Sequence, residues 1–151
     1  MKTKRYLRKG TTGAELALSA RFYSMSKLKY KLLASDADIE EAFDVRRQVF
    51  VREQGISEDL VFDSNDRDAL HLVVKDGERT IGTARVRFVG NKKAKLERMA
   101  VSEDYRHKGV GKGIVAFLDK ELSAKQVRQL VIHAQAGAVQ FYRSCGFQES
   151  G

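Results

Sequence analysis

The run RHKGVGKG, Arg106 to Gly113, lies between KLERMAV (Lys95 to Val101), which reads as a strand, and IVAFLDKEL (Ile114 to Leu122), which reads as a helix. Glycine loses more backbone freedom on folding than any other residue, so three of them at one strand-to-helix junction need a reason. The first turn of a helix carries unpaired backbone N–H groups and the positive end of the helix dipole, which together favour a diphosphate. Glycines remove the Cβ atoms that would hold phosphate oxygens away, and Lys108 and Lys112 add positive charge. A Walker-type loop is excluded because Lys112 is followed by Gly113 and not by a hydroxyl residue. A Rossmann fingerprint is excluded because the glycines fall at G-x-G-x-G, late in the chain. What remains is Arg-x-x-Gly-x-Gly, with Arg106, Gly109 and Gly111, entering a helix. The competing reading is a tight turn with solvated cations.

The rest of the chain gives the junction its surroundings. Tyr30 to Leu33 reads as a short strand, and Ser35 or Asp36 can cap a helix in which Ile39, Ala42, Phe43, Val49 and Phe50 recur near helical spacing. Gln54 to Arg67 is polar and irregular, a loop or a second short helix. Leu70 to Lys75, Asp76-Gly77 and Thr80 to Val89 form a strand, turn and strand, and Gly90-Asn91 turns the chain into Ala94 to Val101. After the glycine junction come a helix over Gly111 to Leu122, a strand over Val127 to His133 and a helix from about Ala136 to Arg143, closed by Gly146. This order predicts an α+β fold, a mixed and mostly antiparallel sheet flanked by helices. The last meander strand and the strand after the long helix should run parallel.

With 151 residues, 42% of them hydrophobic, the chain is sized for one core. No apolar run approaches the roughly 20 residues of a membrane helix, so a soluble cytoplasmic protein is expected. A single cysteine, Cys145, excludes an intrachain disulfide and a thiolate zinc cluster, and no metal is expected. The net charge of +8 is unevenly spread: residues 1 to 30 hold eight cations and one anion, whereas the other 121 hold 20 and 19. The expectation is a basic leader over 1–28 and a near-neutral domain over 29–151. The leader reads as a tail attracted to nucleic acid or membrane, or as an extension ahead of a start at Met25. The second is favoured, because SKLKYKLL follows Met25 at once.

Four blocks, VRRQVFVREQGI (Val45 to Ile56), FDSNDRDALHLVV (Phe62 to Val74), AKLERMAVSEDYRHKGVGKG (Ala94 to Gly113) and IHAQAGAVQFYRSCGF (Ile132 to Phe147), resemble the GNAT superfamily of N-acetyltransferases, in particular its small single-domain bacterial members. The resemblance spans about Tyr30 to Gly151. It implies acetyl-coenzyme A as cosubstrate and transfer of its acetyl group to a primary amine, on a small molecule or a peptide, by direct attack. It also implies that the segment Arg106, His107, Lys108, Gly109, Val110, Gly111, Lys112 and Gly113 binds the coenzyme pyrophosphate. Met99, Ala100 and Val101 then pair with the pantetheine arm, and Gln135 and Phe141 contact the coenzyme. Family members continue past the last helix through a strand, a turn and a closing strand, whereas this chain stops at FQESG, so the final strand is expected to be missing and a sheet edge open. Pairing of such an edge with a second copy, a homodimer, is one expected consequence.

Acetyl transfer needs a neutral amine, a stabilised oxyanion and a proton for the leaving thiolate. The resemblance places Tyr142 beside the coenzyme sulfur, and a phenol of ordinary pKa about 10 suits that acid role. Glu97 is the candidate base; two-residue alternation puts it on the side of Met99 and Val101 unless a bulge intervenes, and the competing role is a salt bridge, with Lys95 among the partners. His71, set among Leu70, Leu72, Val73 and Val74, reads as a satisfied structural residue, and His133 as a strand end near the pantetheine channel. Cys145 reads as a small hydrophobe without an activating neighbour. The stretch EDLVFDSND (Glu58 to Asp66) reads as a solvated loop or as the lining of an amine-binding mouth. The rival functions are a coenzyme-binding module without catalysis and, less favoured, a basic-tailed nucleic-acid-binding protein.

Overall fold

The hairpin signal around Asp76-Gly77 is realised as drawn: β3 (Leu70–Asp76) and β4 (Arg79–Gly90) pair antiparallel, and Gly77 takes φ +58, which a side chain would resist. This computed structural model describes residues 3–9, 27–33 and 38–150. The remaining strands are β1 (Thr3–Lys9), β2 (Lys29–Leu32), β5 (Lys93–Val101), β6 (Gln129–Gln135) and the two-residue β7 (Gln148–Glu149). They form one sheet in the order β2-β3-β4-β5-β6-β1-β7. Only the β5–β6 pair is parallel, as the helical crossover between them requires.

The crossover is α3 (Val110–Ala124), whose Val110, Ile114, Phe117, Leu118 and Leu122 recur at helical spacing and bury themselves against Leu72, Val74, Ile81, Val86 and Ile132 of the sheet. The opposite sheet face is covered over β3 and β4 by α1 (Ile39–Arg46), which widens into a π-helical stretch over Arg47–Glu53, and by the short α2 (Glu58–Val61). Here Val45 and Val49 meet Ala100 in a smaller core. The short α4 (Val139–Ser144) follows β6 and ends at Gly146, in the left-handed region at φ +89. The helix-capping candidates Ser35 and Asp36 lie outside the described residues. Among the described residues no helix is long and apolar enough to cross a membrane.

The N-terminal strand departs from the sequence expectation. Thr3–Lys9, assigned to a detached leader, is built into the sheet between β6 and β7 and runs antiparallel to both, from Thr3 opposite Gln135 to Lys9 opposite Gln129. Tyr6 is 1% exposed and packs in the main core; Arg8 ion-pairs with the buried Asp119 of α3, and Lys4 with Glu149 at 2.9 Å. Four cations in seven residues hid the strand, because the pattern that marks it is one buried aromatic flanked by long side chains that reach partners or solvent. The β6 edge expected to lie open is therefore paired along its length by β1. Of the rest of the leader, residues 10–26 lie outside the described residues.

Candidate active site

The site begins where the sheet comes apart. β5 and β6 pair only over Lys93–Lys95 and Gln129–Val131, and beyond that the strands diverge. In the same stretch β5 carries a bulge: Arg85 of β4 stands opposite Glu97, but Thr83 stands opposite Ala100, and Arg98 takes φ +52. The extra residue reverses the faces. Ala94 and Leu96 point into the core beneath α3, Met99 and Val101 pack against that same core, and Ala100 joins Val45 and Val49 on the other side. Glu97 thus shares the face of Ala100 and not that of Met99 and Val101, so simple alternation fails at the one place where the sequence reading allowed for it.

A cleft of about 760 Å³ runs from the fork to the start of α3. Met99, Ala100 and Val101 line it on one side, Phe141 and Tyr142 on another, and the segment from Arg106 to Lys112 closes the far end. Val49 and Phe50 of the π-helical turn and Gln54 just after it also line it, as do Tyr105 and Ala138. All five lie within the four sequence blocks but carry no chemical signature of their own, and a π-helical widening, common near functional sites, is not visible in apolar spacing.

The glycine-rich turn contains three glycines with three different uses. Gly109 precedes α3 at φ +84 and His107 stands at φ +61, so two left-handed residues turn the chain into the helix. The N–H groups of Val110, Gly111 and Lys112, the first of the helix, have no intrahelical acceptor to reach. A Cβ on Gly111 would lie 2.8 Å from Cζ of Phe141, so this glycine lets α4 approach. Gly113 is not part of the cleft: its N–H is spent on the Gly109 carbonyl at 3.0 Å, and a Cβ there would lie 2.0 Å from the Tyr30 hydroxyl. Its role is close packing of α3 on β2. Arg106 is tied down, donating Nε to the Val101 carbonyl at 2.9 Å and Nη2 to Glu53 at 2.6 Å, so it braces the turn against the strand end. The side chains of His107, Lys108 and Lys112 are exposed.

A second cavity of about 290 Å³ opens on the other side of the fork, lined by Leu60, Val61, Glu97, Arg98, His133 and Gln135 among others. It shares Phe50, Gln54, Met99, Ala138 and Tyr142 with the first. Gln135, expected at the coenzyme, lies in this second cavity. Tyr142 stands between the two spaces, its ring edge-on to Phe141 at 5.1 Å and to Phe147 at 5.6 Å. Burial pushes its phenol well above the ordinary value, so it is a neutral proton donor across the physiological range. Burial likewise raises the Cys145 thiol, in keeping with an inert residue.

Glu97 is held in a charge cluster. Its carboxylate accepts from Arg85 at 2.7 Å, Arg87 at 2.8 Å and Lys95 at 3.1 Å. Burial works to raise its pKa, but hydrogen bonds from Arg87 and Lys95 and the charge of Arg85 outweigh it and hold the carboxyl far below its usual range. The cluster continues inward. Arg85 also reaches Asp63 at 2.6 Å and Asp66 at 2.9 Å, Asp66 takes Arg46 at 2.7 Å, and Arg98 reaches Asp63 at 3.3 Å. His71 accepts from Arg46 on Nδ1 and donates Nε2–H to the Asp66 carbonyl, a neutral and fully used imidazole, as its sequence setting indicated. Asp63 and Asp66 of EDLVFDSND therefore serve buried arginines; the stretch gives the cavity Leu60 and Val61, and neither of these two acids lines it.

A family model described as an acetyltransferase (GNAT) domain matches residues 67–149. The chain belongs to the GNAT acetyltransferase family. This GNAT chain is 36% identical over 126 residues to the uncharacterized protein YyaT of Bacillus subtilis, covering 82% of the chain and 84% of that protein. It is 32% identical over 121 residues to the uncharacterized N-acetyltransferase YjcF of the same organism, covering 80% and 86%. Among solved structures, a provisionally assigned N-acetyltransferase from Lactobacillus plantarum superposes with a TM-score of 0.78 at 26% identity over 83% of this chain and 88% of that one. The mixed sheet flanked by helices is the GNAT fold, and acyl transfer is the chemistry of the family. The group such enzymes draw on is acetyl-coenzyme A. The uncommitted N–H groups at the start of α3, the exposed lysines beside them and a largely apolar cleft leading to Tyr142 suit its diphosphate and its extended arm.

Proposed function

We propose that the chain transfers an acetyl group from acetyl-coenzyme A to a primary amine by direct attack. The observation that carries this reading is the meeting of two cavities at the β5–β6 fork: one leads to the start of α3, the other opens past Glu97 and His133, and Tyr142 lines both. When bound, acetyl-coenzyme A supplies the activated acyl group. The α3 start and Lys108 or Lys112 would hold its diphosphate, and Met99 to Val101 would align its arm along the strand edge that β6 leaves. Tyr142, kept neutral, donates a proton to the departing thiolate.

Proton removal from the amine falls to His133 in this reading, not to Glu97. A carboxylate bound by three cations is a weak base, whereas His133 opens to the second cavity and its pKa is lowered by partial desolvation and by the nearby charges of Lys95 and Arg5. The test is calorimetry with acetyl-coenzyme A followed by thiol release with a panel of amines. No binding at millimolar ligand removes the proposal. Binding without release from any amine would favour the second reading, a coenzyme-binding module, for which the ion-paired state of Glu97 is the supporting observation. A nucleic-acid-binding tail loses ground, because Thr3–Lys9 of the basic leader sits in the sheet.

A further inference from the structure

The strand that the sequence reading set aside brings a cation to the acceptor side. Tyr6 points into the core beneath α3, opposite Ile132, so alternation turns Arg5 to the other face, opposite His133. Lys95 lies on that face too, opposite Val131, one step along β6 from His133 on the same side. His133 lines the second cavity, and by register Arg5 on β1 and Lys95 on β5 flank it just outside that lining. Arg5 is exposed and has no ion pair among the described residues.

The acids around this cavity are already used. Glu97 is its one lining carboxylate among the described residues, and three cations lie within 3.1 Å of it. Asp63 and Asp66 are bound to Arg85, Arg98 and Arg46. A polycationic amine entering here finds no unspent carboxylate and meets Arg98 in the lining, with Arg5 and Lys95, the latter already 3.1 Å from Glu97, just beyond His133. An amine with a negative group of its own meets the reverse: its anion is attracted, and its ammonium lies in a field that favours losing the proton.

We propose that the acceptor is an amine carrying a phosphate or a carboxylate, and that Arg5 of β1 and Lys95 of β5, on either side of His133, hold that anion. This rests on the acyl-transfer reading above for the amine's role, but anion capture can be measured without turnover. The probes are ethanolamine, O-phosphoethanolamine, β-alanine and putrescine, presented to the full chain. One readout is the His133 imidazole resonance during titration without acetyl-coenzyme A; the other is kcat/KM by thiol release with it.

O-phosphoethanolamine or β-alanine should bind about tenfold or more tightly than ethanolamine, the effect of one added charge-assisted contact, and the gap should narrow with salt. The stronger of the two names the anion. Arg5→Gln should bring the preference to within about threefold, and Lys95→Gln should act in the same direction. Equal or better binding of ethanolamine or putrescine, no response of His133 to any probe, or an undiminished preference in both variants overturns the inference. Anion binding at His133 with no thiol release from any amine keeps the inference and strikes the acyl-transfer reading instead.

Discussion

Arg85 and Glu97 face each other across β4 and β5 at 2.7 Å, and their side chains are 1% and 8% exposed. Arg85 is the hinge of a cluster that also holds Asp63 and Asp66. Removing one partner of a buried pair leaves an uncompensated charge, so Glu97→Gln should cost about 3–5 kcal/mol of stability in a denaturant melt. The folded fraction should retain turnover to within about tenfold, because removal of a general base costs about a hundredfold or more. A hundredfold loss in well-folded Glu97→Gln would restore Glu97 as the base.

His133→Asn should lower kcat by about a hundredfold at neutral pH while leaving acetyl-coenzyme A affinity within about twofold. The imidazole pKa is depressed, so the acid limb of the wild-type profile should fall below pH 6.5, and activity should be lost as pH drops through it. Steady-state rates across pH decide this, the variant lacking that limb.

Tyr142→Phe should reduce kcat by about a hundredfold with acetyl-coenzyme A binding nearly unchanged, since it removes the proton donor and keeps the ring that packs on Phe141 and Phe147. Calorimetry and thiol release together make the distinction. Unchanged turnover would leave the phenol a packing residue.

Acid should loosen the α1 face first. Hydrogen bonds from Arg85 lower Asp63; at Asp66 burial opposes the shift, but bonds from Arg46 and Arg85 prevail; and Glu97 is depressed in the same direction. With folded pKa values below unfolded ones of about 4, the contribution of these groups is complete above that pH and lost as pH falls through the folded values. Melting temperature should therefore drop steeply below about pH 4, and Asp66→Asn should lower stability at neutral pH while making that drop shallower.

Gly113→Ala forces a Cβ into the Tyr30 ring, and small-to-large changes in a packed core cost about 1–3 kcal/mol. Coenzyme affinity of the folded protein should stay the same, which separates this glycine from Gly109. A Gly113→Ala variant that melts like the parent but no longer binds the coenzyme would return Gly113 to the site.

The central sheet was readable because hairpin turns, β-branched runs and the helix-to-strand alternation are local signals, and each of β3, β4, β5, β6 and α3 carries one. The glycine turn stands out by its own residues, whereas its reading as a coenzyme site and the role of Tyr142 rest on likeness to a family. What local pattern could not supply was the bulge at Arg98, which decides the face that Glu97 occupies, since an added residue is visible only against the register of β4. Charge misled at Thr3–Lys9 for a related reason: its partners Gln129–Gln135 lie at the far end of the chain, and a strand with one core residue gives no periodicity. The three cations on Glu97 come from β4 and β5, and only the register of those strands brings them to one carboxylate.

The pairing of Tyr6 with Glu149 joins two residues on opposite sides of nearly every other element in the sheet's chain order. During translation β1 emerges well before β6 and β7 exist, so its seat cannot form until those two strands have been made. Contacts this distant in sequence carry a large loop-closure entropy and slow the final step of folding. The nascent chain must keep Tyr6 and Leu7 out of non-native contacts in the interval, and the four cations around them, by repelling other basic segments and staying hydrated, give that waiting strand its solubility.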